Sequence, residues 1–213
     1  MDKLMIRKSL VLGLFIFLLT YFYLIFFYPY NEELINELES SDNTFYSEYS
    51  YIAHAGGGIE GETYTNSKEA LLYSIDNNFK LIEIDLLVTV DKKILGYHDW
   101  NSLAEMCNFD KEKIKSYELD LIKKCNFIIR GKKYTFLDDQ SINQIFSEND
   151  KLVLVTDKIS DFSLIKKKFE FNNRIIVETF GIFNYLKAKL YRTGNPMYNF
   201  TIGRRNDWYV KMF

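Results

Sequence analysis

An α/β fold with a parallel sheet, standing behind one N-terminal membrane helix, is the class this sequence predicts, and three observations predict it. The segment 9–28 reads SLVLGLFIFLLTYFYLIFFY without a charge. Beyond it, short apolar runs alternate with amphipathic helical stretches, the pattern of βα units. The chain has two histidines, and each ends an apolar run, where parallel sheets present side chains to a mouth framed by the βα loops.

Composition bounds the answer. A chain of 213 residues is expected to hold one domain plus something small. With 47% hydrophobic and 17% aromatic residues it can bury a core, which sets aside the disordered class. Lys and Arg number 27 against 29 Asp and Glu, for a net charge of -2, and no basic stripe alternates with aromatics, so a nucleic-acid partner is not expected. Cys107 and Cys125 fall in no metal-ligand spacing. In an oxidising compartment they are candidates for a disulfide, but their Cα separation is not a sequence property.

In chain order, 1–8 forms a short cytoplasmic tail. Residues 9–28 suffice to span a hydrocarbon core of about 30 Å at roughly 1.5 Å per residue. The run exceeds a signal-peptide core, and Phe26-Phe27-Tyr28-Pro29 lacks the small residues of a cleavage site. Lys3, Arg7 and Lys8 precede it and no Lys or Arg follows until Lys68, so the N-terminus is expected in the cytoplasm and the rest outside, at the cell membrane. Acidic and polar residues at 29–48 read as a stalk. In the outer domain, 49–213, candidate strands are 49–54, 79–88, 93–98, 151–156, 174–180 and 198–202. Helices are expected at 67–76, with Asn66 and Glu69 as a capping box, and at 161–170 and 183–191. The connection 101–150 is long enough to hold helices of its own.

The chemistry concentrates between the histidines. Glu83 and Asp85, two apart on a strand, share one face while Ile84 and Leu86 take the other. Two carboxylates in so apolar a setting call for a cation, and oxygen ligands suit Mg²⁺ or Ca²⁺. After His54 comes Ala55-Gly56-Gly57-Gly58, a turn whose backbone N–H groups can approach a phosphate.

The series His54-x-Gly56, Asn66 with Glu69-Ala70, Glu83-x-Asp85, Thr89-x-Asp91 and His98-Asp99 resembles the glycerophosphodiester phosphodiesterase family, among the phosphatidylinositol-phospholipase-C-like TIM barrels. The likeness is close over 51–100 and looser over 134–138 and 152–158. It implies a TIM-barrel-like domain and a metal-dependent phosphodiesterase of glycerophosphodiester-type substrates, from lipid headgroups or an envelope polymer. His54 and His98 would be its acid/base pair, Glu83 and Asp85 its metal ligands, and Lys158, with Gly56 and Gly57, its phosphate contacts. Ala55 stands where the family usually has an arginine. The family's later acidic ligand, two residues before a lysine, falls on Thr156, leaving Asp157 as the candidate third ligand, and alternation turns Asp157 away from the site unless a bulge re-aims it.

An eight-stranded barrel needs roughly 250 residues, so the domain is expected to lack its last strands or to complete them with another copy or a partner chain. The rival function is a noncatalytic or truncated relative that serves as a binding or cell-envelope assembly protein.

Overall fold

The computed structural model describes residues 3–27, 51–199 and 211–212. The expected stalk at 29–48 lies outside them. Helix α1, Lys3–Phe27, covers the apolar segment. The part of it described with side chains, 10–23, is exposed throughout, and among the described residues no helix is long and apolar enough to cross a membrane.

The domain is built on six strands in the order β1 (Ile52–Ala53), β2 (Leu81–Glu83), β7 (Val153–Thr156), β8 (Ile175–Phe180), β9 (Asn195–Asn199) and β10 (Lys211–Met212). The first five are mutually parallel, and β10 pairs antiparallel with β9. The returns between parallel strands use helices α2 (Lys68–Asp76), α5 (Asp139–Glu148), α6 (Phe162–Lys168) and α7 (Ile182–Tyr191). Parallel pairing requires such crossovers, and the α/β expectation holds.

Register decides which residues meet. Glu83 pairs with Val155 and Ile82 with Leu154, so residues at matching positions project to the same side. On one face Ile82, Leu154, Ile175 and Val177 pack with Leu71, Phe146 and Ile165 of the helices in the main core. On the other, Leu81, Val153, Val155, Ile176 and Met197 form a smaller apolar floor. The carboxylates stand at the rim of that floor.

Three strand expectations are revised. The run 79–88 is not one strand: it breaks at Ile84-Asp85 and resumes as β3 (Leu86–Val88). The run 93–98 is not a parallel strand: β4 (Ile94–Gly96) pairs antiparallel with β3 as a hairpin. The five-residue link between them, with Lys92 at φ 57°, is far shorter than a parallel crossover. The last parallel strand is described over Asn195–Asn199, beginning before the expected 198–202, of which 200–202 lie outside the described residues. Its sequence, Asn-Pro-Met-Tyr-Asn, has little strand propensity, and its place comes from five residue pairs with β8.

The connection 101–150 does carry helices, α3 (Trp100–Cys107), α4 (Leu119–Ile122) and α5, together with a hairpin of β5 (Ile128–Ile129) and β6 (Lys132–Lys133). Its part between β4 and α5, an inserted segment, has its own core around Leu103, Ile114, Phe127 and Phe136. Cys107 and Cys125 close a disulfide across it, with Cα atoms 5.4 Å apart.

The capping assignment also changes. Ser67, not Asn66, caps α2, accepting from the Ala70 N–H, and Glu69 reaches away to the backbone N–H and hydroxyl of Thr135. Asn66, at φ 49°, is released for another task.

Candidate active site

Every element that carries a candidate residue delivers it at the C-terminal end of a strand. His54 opens a short 3-10 turn directly after β1. Glu83 ends β2, Asp85 follows two residues later, and Asp157 and Lys158 follow β7. Ligand atoms of Glu83, Asp85 and Asp157 all lie within 4.8 Å of one another. Asp157 needs no bulge to arrive there. Val153 and Val155 face the small apolar floor, so alternation carries Asp157 to the same side and sends Thr156 to the other. The expectation that Asp157 faces away is therefore overturned by the observed register.

Glu83 and Asp85 are both buried, and Glu83 is the one that meets a histidine. Its Oε2 lies 2.8 Å from His54 Nδ1 and accepts the Ala55 N–H at 2.7 Å. That N–H is available because Ala55 sits in the left-handed region at φ 51°, fully buried. Burial, and then the neighbouring Asp85 and Asp157 charges, push the Glu83 carboxyl up to about 7 against the pull of these donors. Burial likewise raises Asp157, whose Oδ1 is buried without a hydrogen-bond partner. Asp85 is clasped by Asn66 and approached by Lys158, whose Nζ is 3.6 Å from Oδ1.

Three convergent carboxylates, one with an orphaned buried oxygen and two raised first by burial and then by neighbouring carboxylate charge, fit a hard divalent cation. The donor set is all oxygen, which is the set Mg²⁺ and Ca²⁺ take.

The two histidines share a design. His54 Nδ1 faces Glu83, and His98 Nδ1 lies 2.9 Å from Asp99 Oδ2. Asp99 is also the N-cap of α3 and accepts from Ser102; these Ser102 bonds, and then His98, hold its carboxyl well below the usual range. An ionised carboxylate only accepts, so Nδ1 of His98 carries the proton and Nε2 is left as the ring's acceptor nitrogen. Both rings are about half exposed, and Tyr64 packs edge-on against His54 at 4.9 Å.

The glycines after His54 are explained first by packing. A Cβ on Gly57, at φ 96°, would lie 2.0 Å from Ser74 Oγ, so the turn presses directly on α2. Gly57 and Gly58 also line a cleft beside His54 with Tyr64 and Tyr73.

Two contributors have no assigned site role in the sequence. Asn66 stands there in the motif series and as a helix cap, not as a partner of Asp85. Glu178 on β8 lies on the same face as Ile176, adds to the charge that raises Asp157, and is held by the Asn199 side chain. Its period-2 relation to Ile176 was available, but nothing marked β8 as facing Asp157.

No protein-family model and no curated protein matches the chain. Solved structures do. The chain is similar to a putative glycerophosphodiester phosphodiesterase from Galdieria sulphuraria, at 17% identity and TM-score 0.50, over 69% of this chain and 62% of that one. A glycerophosphoryl diester phosphodiesterase from Parabacteroides distasonis gives 19% and 0.53, over 71% and 56%. The corresponding domain of an uncharacterized protein from Mycobacterium tuberculosis gives 13% and 0.50, over 68% and 57%. The fold is thus that of the glycerophosphodiester phosphodiesterases, and the chain spans about three-fifths of the length of each of these structures.

Proposed function

We propose that the protein is a membrane-anchored, metal-dependent phosphodiesterase acting on glycerophosphodiester-type substrates outside the cytoplasm. The observation that carries the reading is the gathering of Glu83, Asp85 and Asp157 at one strand end, flanked by two histidines that each lean on a carboxylate.

Glu83, Asp85 and Asp157 would hold the cation, Mg²⁺ or Ca²⁺. When bound, it supplies positive charge to the nonbridging phosphate oxygens. Lys158 adds a second positive charge beside Asp85, and the backbone of Gly56 and Gly57, directly after His54, would be a further phosphate contact. His54 and His98 are the acid/base pair: one Nε2 takes the proton of the attacking hydroxyl, and the other, protonated, gives one to the departing alkoxide. Their Nδ1 partners fix ring orientation and stabilise the imidazolium formed in transit. Hydrolysis by water, or attack by an internal hydroxyl giving a cyclic phosphate, uses the same groups.

Anchoring is supported by the uncharged sequence run of 9–28, about the number of residues that a hydrocarbon core requires. The disulfide supports an oxidising compartment for the domain. Retention in the membrane pellet after alkaline carbonate, with release on deletion of 1–28, is the expected result; a full chain that washes off refutes the anchor.

The rival reading, a noncatalytic binding or envelope-assembly protein, draws on Ala55, which is buried and offers no side chain to a phosphate. The deciding experiment is turnover of glycerophosphocholine and bis-p-nitrophenyl phosphate by the detergent-solubilised chain with Mg²⁺, Ca²⁺ or chelator. Metal-dependent hydrolysis, lost by at least about 100-fold in His54→Ala and Glu83→Gln, supports the enzyme. No hydrolysis by folded protein with any of these metals favours the rival.

A further inference from the structure

A second cavity, of about 460 Å³, opens beside the carboxylates. Small-molecule sites have this size. Lys92 stands on one wall, in the β3–β4 turn, and Lys158 and Ile159 stand on the other, just past β7. The inserted segment brings Trp100 and Lys115 to it. Lys158 belongs to both places, since it lines this groove while its Nζ sits 3.6 Å from Asp85. The groove therefore adjoins the site described above through Lys158.

Its charge is one-sided. Three lysines face Asp161 alone among the groove's acidic side chains. Asp161 pairs with Lys92 at 3.7 Å, but both side chains are well exposed and such a pair is weak. The chemistry at Glu83, Asp85 and the histidines has no use for Lys92 or Lys115. Their placement is nonetheless built: Asp91 accepts from Thr89 and from the Leu119 N–H and pairs with Lys93, which ties the β3–β4 turn to the segment that carries Lys115. Leu86, Val88 and Trp100 supply the apolar remainder of the lining, which suits the carbon skeleton between two anionic groups.

We propose that this groove binds a further phosphate of the substrate, and that the preferred substrates are polyol phosphodiesters carrying at least one phosphate beyond the scissile one, as in an oligomeric polyol phosphate. The proposal rests on the phosphodiesterase reading for its chemistry, but the groove is a binding feature in its own right.

The test compares kcat/KM for a synthetic glycerol-phosphate trimer with that for glycerophosphoglycerol, in the full chain and in the Lys92→Ala/Lys115→Ala variant. The wild type favours the trimer by about tenfold or more, corresponding to about 1.4 kcal/mol. In the variant that ratio falls toward unity, and in the wild type it shrinks as salt is raised. An unchanged ratio in the variant overturns the proposal. If the wild type cleaves neither substrate, calorimetric binding of the same trimer decides. Affinity about tenfold weaker in the variant upholds the groove while the hydrolytic reading falls, and equal affinity, or no binding to the wild type, overturns the groove. Both lysines are exposed in the turns that carry them, and matching thermal melts confirm that the variant is folded.

Discussion

Asn66 and Asp85 hold each other twice: Nδ2 of Asn66 donates to Asp85 Oδ2 at 3.0 Å, and the backbone N–H of Asp85 donates to Asn66 Oδ1 at 2.9 Å. The second bond fixes the amide's orientation, because only its oxygen can accept from an N–H. A residue at φ 49° is thereby turned into a clasp on a carboxylate of the site.

Replacing the clasp tests this. Asn66→Ala removes two buried hydrogen bonds and leaves the Asp85 N–H unpaired, at a cost of about 2–3 kcal/mol by urea unfolding. Positioning partners of this kind typically alter metal affinity or activity by about 10–100-fold, which isothermal titration with Mg²⁺ or Ca²⁺ measures alongside turnover. Wild-type affinity and activity in Asn66→Ala would refute the positioning role.

Asp138 couples two parts of the fold. It caps α5 through the Ser141 N–H and pairs with Lys123 from the inserted segment, while itself buried. Burial alone would raise its carboxyl, but the Lys123 and Ser141 hydrogen bonds outweigh it and the net shift is downward. A lowered folded value means that its contribution is present above the unfolded value near pH 4 and is lost as pH falls below it through the folded value. Unfolding of Asp138→Asn should therefore show a flatter acid limb than the wild type, and Asp138→Ala should lose about 2–4 kcal/mol at neutral pH.

The disulfide ties the last residue of α3 to the chain just after α4, a separation of 18 residues. Loop-closure entropy for that length corresponds to about 3 kcal/mol. The Cys107→Ser/Cys125→Ser variant, or reduction, should lower the urea midpoint accordingly. Equal midpoints with and without reductant would mean that the inserted segment's core alone sustains it.

Gly57→Ala should cost about 2–4 kcal/mol, since the new methyl meets Ser74 Oγ and the backbone is left-handed there. Adding Ser74→Ala relieves the contact but not the backbone strain, so recovery in a denaturant melt should be partial. Complete recovery would show that the conformation itself is unstrained.

Much of this molecule was legible in the order of its residues. Alternating runs gave the parallel sheet, and Glu83 with Asp85 gave one face of the site, because a strand's two-residue period is a local property. What failed was non-local. The break at Ile84-Asp85 and the β3–β4 hairpin depend on where Gly96 and Tyr97 find partners, in Leu137 and Asp85. β9 exists because β8 offers a ladder to a segment of weak propensity. The side to which Asp157 points follows from the pairing of β7 with β2, and no inspection of Val-Thr-Asp-Lys alone supplies that pairing.

That step from Thr156 to Lys158 has a consequence for how the chain tolerates change in length. Thr156 lies under the helices, Asp157 reaches the carboxylate group, and Lys158 reaches both Asp85 and the basic groove. One inserted or deleted residue here would hand each side chain its neighbour's place, setting a cation among the carboxylates or a threonine in their stead. The turn at Arg130-Gly131, exposed and outside the six-stranded sheet, has no such constraint. A change in length is thus expected to be tolerated in the inserted segment, while the strand ends that carry the charges are held to a count of single residues.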